Sequence, residues 1–446
     1  QAIESFIYSA NQNFISRGGQ AVFLSVGLHL TIPKFLEDVE AILPGGVKNG
    51  DTYGNFEEDN ERIQRTFTSV MKRMDGVGKP FSWPNTIYYL DDNAMKMEDD
   101  LLEIMDASST IGFPYFANLE TDVTSSFKDF MGCRSSLADN WTGEWDKDCL
   151  RTGNLAMSTM NLPRIAYKSR NEEELLENFE NVIQLTRKGL LARRELIKKA
   201  LYDYKLAPFL MQEQNGDRYY RWEDATLSFG FVGLQEMMMS ICGEGLDSPT
   251  GNKLGHKVMD YLSKRINDFK EEDGLRWSSI ATPGESTVSN FALKDLKLYP
   301  DKVIYNGDKK TAYYSNSCQL PASTNVDLLK KIDIESKFFP NTVGGNIGHI
   351  FLGMTPDKES LLKLTKEILK TPMDFFAYTR DYSYCLRCQT ATPGLIDKCG
   401  CGEEDEIEQF SRICGYYSKI GNAKSATSGW SDSKRRELKD RTRVRV

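Results

Sequence analysis

The chain has 446 residues, with 56 Lys and Arg against 64 Asp and Glu, which gives a net charge of −8. This acidic composition argues against a surface that binds nucleic acid polymers by displacing counterions from phosphates. Hydrophobic residues make up 40% and charged residues 27%, which excludes a disordered chain. No stretch is long and apolar enough for a transmembrane helix, and nine cysteines are too few for a secreted disulfide scaffold, so we expect a cytoplasmic protein.

Segments rich in β-branched and aromatic residues alternate with longer amphipathic segments along most of the chain. The predicted strands are 21–26, 86–90, 155–161, 227–232, 277–281 and 346–352. The predicted helices are 175–191, 256–272, 290–296 and 359–370. This alternation predicts an α/β fold with largely parallel strands and helices on the outside.

The pattern changes after about Tyr378 to short irregular segments rich in Cys, Gly, Asp and Glu. Cys385 and Cys388 are separated by two residues, and ten residues later Cys399 and Cys401 are separated by one. Two closely spaced pairs suit a tetrahedral site with four thiolates, so we predict a structural zinc ion. The alternatives are coincidence and redox-active dithiols. The basic tail from Lys434 to Val446 is expected to be a solvated last helix.

The segment Arg412-Ile-Cys414-Gly415-Tyr416 follows the cysteines. It resembles the Arg-Val-x-Gly-Tyr signature of glycyl radical enzymes, and with Trp430, Glu437, Leu438 and Arg441 it resembles one branch, the catalytic subunit of anaerobic (class III) ribonucleoside triphosphate reductases. Further segments are similar to that family in chain order: Arg17-Gly-Gly-Gln20, Phe81-Ser-Trp-Pro84, Gly112-Phe-Pro-Tyr-Phe-Ala-Asn118, Cys133-Arg134, Thr159-Met-Asn-Leu-Pro-Arg164, Gly233-Leu-Gln-Glu236, Thr282-Pro-Gly-Glu-Ser286, Ser315-Asn-Ser317 and Gly344-Gly345.

The resemblance implies a radical mechanism in which Gly415 and Cys133 are the catalytic residues. A radical at Cα must flatten and delocalise into both flanking amides, which a Cβ substituent would hinder, so the position requires glycine. The resemblance further implies that a separate iron–sulfur activase, which cleaves S-adenosylmethionine, installs the glycyl radical. Cys133 matches the cysteine whose thiyl radical abstracts the ribose 3′-hydrogen, and a weak S–H bond suits this transfer.

Substrate binding is predicted at Asn118 and at Thr282, Gly284 and Ser286. The last three lie in a turn between the predicted strand 277–281 and the predicted helix 290–296, where backbone N–H groups and hydroxyls could hold phosphates. An ordinary strand-to-helix cap is the alternative. Asn118 matches a polar residue that the family places near the reactive cysteine. We expect His349 to be a core histidine with satisfied hydrogen bonds.

The resemblance predicts residues 1–380 as most of a ten-stranded α/β barrel that lacks its N-terminal part, residues 381–402 as a zinc-binding module, and residues 403–446 as the glycyl radical loop and a last helix. The loop is expected to thread back into the barrel. The implied partners are the activase, ribonucleoside triphosphates, dNTP or ATP effectors, a second copy of the chain in a homodimer, and a second chain that supplies the missing N-terminal part.

The leading function is anaerobic reduction of ribonucleoside triphosphates to deoxyribonucleoside triphosphates. One alternative is another glycyl radical enzyme of the lyase type, which usually lacks a four-cysteine site. Another is a non-catalytic zinc-ribbon binding protein derived from a reductase fragment. Bound zinc and radical formation at Gly415 distinguish these possibilities.

Overall fold

The computed structural model describes residues 1–12, 23–121, 128–132, 134–138, 141–214, 216–422 and 429–445. The chain divides into two compact units. The first unit comprises Gln1–Cys133, Ile347–Trp430 and Arg443–Val446, and the second comprises Arg134–Asn346 and Ser431–Thr442. The first unit is therefore built from both ends of the chain, and the second from its middle and one C-terminal helix.

The strands of the described residues are β1 (Ser25–His29), β2 (Asn85–Leu90), β3 (Tyr115–Asn118), β4 (Lys128–Met131), β5 (Ser135–Ala138), β6 (Asn154–Asn161), β7 (Glu213–Gln214), β8 (Asp217–Arg218), β9 (Thr226–Val232), β10 (Trp277–Ala281), β11 (Gly348–Phe351), β12 (Phe375–Thr379), β13 (Tyr382–Cys385), β14 (Thr390–Pro393), β15 (Ile407–Arg412) and β16 (Tyr417–Asn422).

The helices of the described residues are α1 (Ala2–Gln12), α2 (Lys34–Glu37), α3 (Glu57–Arg73), α4 (Glu98–Ile111), α5 (Trp145–Asp148), α6 (Leu162–Tyr167), α7 (Glu172–Tyr202), α8 (Leu234–Cys242), α9 (Pro249–Asp273), α10 (Thr287–Leu298), α11 (Leu328–Ser336), α12 (Lys358–Ile368) and α13 (Asp432–Asp440). Within this part of the chain, no helix is both long and apolar enough to cross a bilayer.

The first unit contains a five-stranded sheet in the order β1-β2-β3-β12-β11. Its neighbours are parallel except for β3 and β12, which run antiparallel. Every residue of β2, β3 and β12 is buried, as expected for strands covered on both faces. A second, antiparallel sheet in the order β14-β13-β15-β16 carries the cysteine pairs and the segment around Gly415.

The second unit contains a parallel sheet in the order β10-β9-β6. Helices α7, α8 and α9 contribute to its apolar core, in which the rings of Phe229 and Trp277 lie 5.4 Å apart. Helix α9 begins after Ser248, whose side chain accepts a hydrogen bond from the Gly251 N–H, and it ends at Gly274 with a φ of 61°. Standard capping chemistry therefore sets both ends of this long helix.

The predicted α/β fold is confirmed, and the patterns that predicted strands 86–90, 155–161, 227–232 and 277–281 correspond to β2, β6, β9 and β10. Predicted strand 346–352 is observed as the shorter β11. Strand β1 begins later than the pattern 21–26 predicted, and residues 21–22 lie outside the described residues. The four predicted helices lie within or largely overlap α7, α9, α10 and α12. The closed ten-stranded barrel and the three-part domain division stay predictions.

Candidate functional site

The four cysteines of the C-terminal motif converge at one end of the antiparallel sheet. Cys385 is the last residue of β13, Cys388 lies in the turn that leads to β14, and Cys399 and Cys401 flank a glycine in the next loop. The four Sγ atoms all lie within 4.8 Å of one another. Cys385 Sγ is 3.7 Å from Cys401 Sγ, and Cys388 Sγ is 3.6 Å from Cys399 Sγ.

These separations fit a tetrahedral zinc ion. Zn–S bonds of about 2.3 Å place the sulfur atoms of a tetrahedron about 3.8 Å apart. All four cysteines are free thiols, so the short distances are not disulfide bonds. Two of the cysteines pack against the buried Ile407, and the Cys399 N–H donates to the Glu403 carbonyl over 2.8 Å. The group can therefore hold a zinc ion. Because four sulfur ligands would leave no open position for substrate, such a site would be structural and not catalytic.

The segment around Gly415 is the turn of the hairpin formed by β15 and β16. Arg412 pairs with Tyr417 in the register of this hairpin, and the Ile413 N–H donates to the Tyr416 carbonyl over 3.0 Å. Gly415 is buried. The four-thiol group and the glycine loop are thus joined through a single strand, β15.

Two buried side chains contact the backbone of this turn. Arg412 Nη1 donates to the Gly415 carbonyl over 3.1 Å, and its Nη2 donates to the Gly112 carbonyl over 2.5 Å. The Arg412 guanidinium lies over the Tyr115 ring, 4.0 Å from its centroid. His349 Nε2 lies 2.5 Å from the Cys414 carbonyl oxygen. His349 is buried, as expected of a core histidine, and its Nε2 contacts the residue before Gly415.

The two tyrosines that follow Gly415 make ring contacts and hydrogen bonds that fix the end of the turn. The Tyr416 ring packs against Phe23 and Trp83, with centroids 5.1 Å and 5.9 Å apart. The Tyr417 hydroxyl donates to the Arg380 carbonyl over 2.8 Å and accepts from the Arg380 N–H over 3.0 Å. Burial raises the pKa of Tyr417, so its hydroxyl stays protonated and able to donate.

Cys133, the predicted thiyl residue, lies outside the described residues. The residue before it is held at two points in the first unit. The Gly132 N–H donates to Ser25 Oγ over 3.0 Å, and Asn85 Nδ2 donates to the Gly132 carbonyl over 3.3 Å. Ser25 and Asn85 are register partners at the starts of β1 and β2. The strand ends therefore fix the backbone that leads into Cys133.

Asn118, predicted to contact substrate, is fully buried at the end of β3. Its Nδ2 donates to the carbonyls of Leu369 and Met373 over 3.1 Å and 3.3 Å, and its Oδ1 accepts from the Glu120 N–H over 3.0 Å. These bonds use the side-chain amide to fix the loop between α12 and β12. Its contact with substrate stays a prediction.

The predicted phosphate loop belongs to the second unit and joins β10 to α10. The Thr282 carbonyl accepts from Ser317 Oγ over 3.2 Å, and the Gly284 carbonyl accepts from the Thr287 N–H over 2.6 Å. A Cβ atom at Gly284 would lie 2.2 Å from Asn316 Oδ1, so a larger residue would force the Asn316 side chain to shift. Ser286 is exposed at the start of α10. The predicted strand, turn and helix are confirmed, whereas their role in binding phosphate stays a prediction.

The basic tail was expected to be a solvated helix, but one face of the observed helix α13 is buried, so the expectation was wrong for that face. Lys434, Glu437 and Arg441 are at most 5% exposed. Lys434 Nζ lies 2.6 Å from Glu437 Oε2, and Arg441 Nη2 lies 3.2 Å from Glu437 Oε1. Burial raises the pKa of Glu285 in the turn between β10 and α10, and the positive charges of Lys434 and Arg134 act in the opposite direction. Charge density in the sequence did not reveal this buried cluster.

The family model and the curated relatives indicate one family. The family model described as anaerobic ribonucleoside-triphosphate reductase matches residues 1–443. An anaerobic ribonucleoside-triphosphate reductase of Haemophilus influenzae is 25% identical over 340 residues, which cover 71% of this chain and 46% of that protein. The chain thus spans about half the length of the curated relatives it matches.

Solved structures share the fold. The anaerobic ribonucleotide reductase of Thermotoga maritima in complex with dATP and CTP superposes with a TM-score of 0.72 at 21% identity and covers 94% of this chain and 67% of that chain. The B12-independent glycerol dehydratase of Clostridium butyricum gives a TM-score of 0.56 at 10% identity and covers 89% and 55%. The family match over nearly the whole chain is decisive: this chain belongs to the anaerobic ribonucleoside-triphosphate reductase family of glycyl radical enzymes.

Proposed function

We propose that this chain carries the catalytic core for the anaerobic reduction of ribonucleoside triphosphates to deoxyribonucleoside triphosphates. The observation that carries the proposal is the buried turn at Gly415. The side chains of His349 and Arg412 contact two carbonyl groups of this turn, and strand β15 connects the turn to the four-thiol group. Membership of the family supports the substrate class.

In this proposal an activase of the radical S-adenosylmethionine class removes one hydrogen atom from the Gly415 Cα. The Gly415 radical then takes the hydrogen atom from the Cys133 thiol, and the resulting thiyl radical takes the 3′-hydrogen of the ribose. The 2′-hydroxyl leaves as water. A two-electron reductant, either formate or a dithiol protein, completes the reduction. With formate, the nucleotide, formate and a proton give the deoxynucleotide, carbon dioxide and water.

The other predicted residues have supporting roles. Cys385, Cys388, Cys399 and Cys401 would hold a zinc ion, which supplies structural cross-links and no chemistry of its own. Thr282, Gly284 and Ser286 would bind the triphosphate at the start of α10, where a helix N-terminus favours anions. Asn118 would contact the ribose.

The proposed partners extend beyond this chain. The reductase of Thermotoga maritima has been solved with dATP and CTP, which supports binding of an effector and a substrate nucleotide here. We also infer that the protein forms a homodimer. The lyase-type alternative has less support, because the dehydratase fold match is weaker than the reductase match.

Electron paramagnetic resonance tests the proposal. The anaerobic protein, treated with a cognate activase, S-adenosylmethionine and a reductant, should develop a carbon-centred radical with a doublet signal. Gly415→Ala should abolish that signal, because the Cβ substituent hinders the planar radical. A doublet of equal intensity in the variant would contradict the assignment. Exposure of the parent protein to air should cleave the backbone at Gly415, which mass spectrometry would locate.

A further inference from the structure

The two carbonyl groups on either side of the Gly415 Cα each receive a hydrogen bond from a buried side chain. The Cys414 carbonyl, which belongs to the amide on the N-terminal side, lies 2.5 Å from His349 Nε2. The Gly415 carbonyl, on the C-terminal side, lies 3.1 Å from Arg412 Nη1. A carbonyl oxygen can only accept, so His349 Nε2 must carry a proton in this contact.

Both side chains are fixed by further contacts, so neither donor is a mobile surface group. Arg412 is 2% exposed, and its second nitrogen donates to the Gly112 carbonyl. His349 is 8% exposed, and its ring is parallel to that of Phe351, with an interplanar angle of 6°. The donors come from β11 and β15, two strands of different sheets in the same unit.

A radical at a glycine Cα is most stable when its half-filled orbital is parallel to the π systems of both neighbouring amides. Glycine is the residue least able to hold such an arrangement by itself, because its φ and ψ angles are the least restricted. A fixed donor on each carbonyl restrains both amide planes. It also places the partial positive charge of an N–H group next to the oxygen atoms that share the unpaired electron, as preorganised donors do at other reacting centres.

We propose that His349 and Arg412 are positioning residues that hold the two amide planes of Gly415 and prolong the lifetime of the radical stored there. The inference rests on the proposed function, since it concerns that radical. It goes beyond the proposed function because it assigns His349 and Arg412 to storage of the radical at Gly415, which is separate from transfer of the radical to Cys133. A merely structural role would leave the spectrum and lifetime of the radical unchanged in any variant that folds.

The test compares the lifetime and spectrum of the radical in the activated parent and in four variants of the full chain, one of them a control. His349→Phe keeps a ring that can stack on Phe351 but removes the donor, and Arg412→Lys leaves one ammonium group for two carbonyls. Each should shorten the anaerobic half-life of the doublet by about three- to tenfold, the factor that corresponds to one hydrogen bond of ordinary strength. His349→Gln retains an N–H donor and should recover most of the parent lifetime.

His256→Phe is the matched control, because the His256 ring stacks on Phe338 with an interplanar angle of 8°. This control should match the parent. Zinc content and thermal unfolding verify that each variant is folded. In the parent itself, electron–nuclear double resonance should detect weak proton couplings from both hydrogen bonds, and these should vanish in D2O. This measurement needs no variant.

An unchanged half-life and line shape in both His349→Phe and Arg412→Lys would overturn the inference and leave the proposed function standing. Absence of the exchangeable couplings in the parent would do the same. A parent protein that forms no doublet would overturn the proposed function, and the inference would fall with it.

Discussion

At the scale of single residues, Gly112 shows how closely the turn around Gly415 is packed. Gly112 ends α4 with a φ of 68°, a left-handed conformation that favours glycine. A Cβ atom at this position would lie 1.9 Å from the Tyr417 hydroxyl and 3.1 Å from the Arg380 backbone nitrogen. The Gly112 carbonyl also accepts a hydrogen bond from Arg412. Backbone conformation and close approach therefore both require glycine here.

We expect Gly112→Ala to lower the free energy of unfolding by about 2–4 kcal/mol, because the added methyl group meets backbone strain and displaces Tyr417. Gly46→Ala is the control, since Gly46 has a φ of 79° but open space around its Cβ position. It should cost about 1 kcal/mol. Urea unfolding measures both values, and equal costs for the two variants would contradict the steric argument.

At the scale of elements, β13, β14 and β15 carry the four-thiol group and lead directly into the Gly415 turn. Their small apolar cluster consists of Cys385, Cys399 and Ile407, with Ile396 packed against it. Such a cluster is too small to stabilise the loop from 386 to 406 by itself, so metal binding should supply part of its folding free energy.

The purified, reduced protein should therefore contain about one zinc ion per chain. Cys388→Ser should lose that zinc, because a hydroxyl is a poor replacement for a thiolate ligand, and should disorder the segment that leads to Gly415. Cys242→Ser, a change outside the four-thiol group, should retain the metal. Metal analysis and amide hydrogen exchange measure the two effects. Fully reduced parent protein without zinc would overturn the assignment.

Helix α13 is the second element considered at this scale. Its buried face carries an ion cluster formed by Lys434, Glu437 and Arg441. Burial would raise the pKa of Glu437, but Lys434 and Arg441 lower it, and the net pKa lies below the ordinary value. The pKa in the unfolded chain is about 4.3. The carboxylate therefore stabilises the fold fully above that pH, and this contribution is lost as the pH falls through the lower pKa of the folded state.

Glu437→Gln should cost about 3–5 kcal/mol at pH 7, because it leaves two buried cations without their counter-charge. The difference from the parent should shrink as the pH falls below about 4. The control is Glu367→Gln: Glu367 and Lys370 have the same spacing and the same 2.6 Å separation as Glu437 and Lys434, but their side chains are 55% and 68% exposed. It should cost less than about 0.5 kcal/mol. Urea titrations at several pH values measure the free energy of unfolding of both variants. Equal losses with the same pH dependence in the two variants would contradict the argument.

At the scale of the whole molecule, local patterns predicted the local elements and the grouping of the four cysteines. Strand 277–281 is an example, because hydrophobic runs and turn residues act over a few neighbours. Contacts between distant segments were not predictable. His349 and the Cys414 carbonyl are 65 residues apart, and the antiparallel pairing of β3 with β12 joins segments still further apart. The burial of Lys434 likewise depends on tertiary packing that charge density does not encode.

The most direct test of the central claim separates radical storage at Gly415 from radical transfer through Cys133. The activated protein is assayed for deoxyribonucleotide formation and for its paramagnetic doublet in the same sample. Cys133→Ser should keep the parent doublet but form no product, because an O–H bond is much stronger than an S–H bond and hydrogen abstraction becomes prohibitively slow. Cys149→Ser, the control, should keep both signal and product. Deoxyribonucleotide formation by Cys133→Ser at more than a trace of the parent rate would contradict the account.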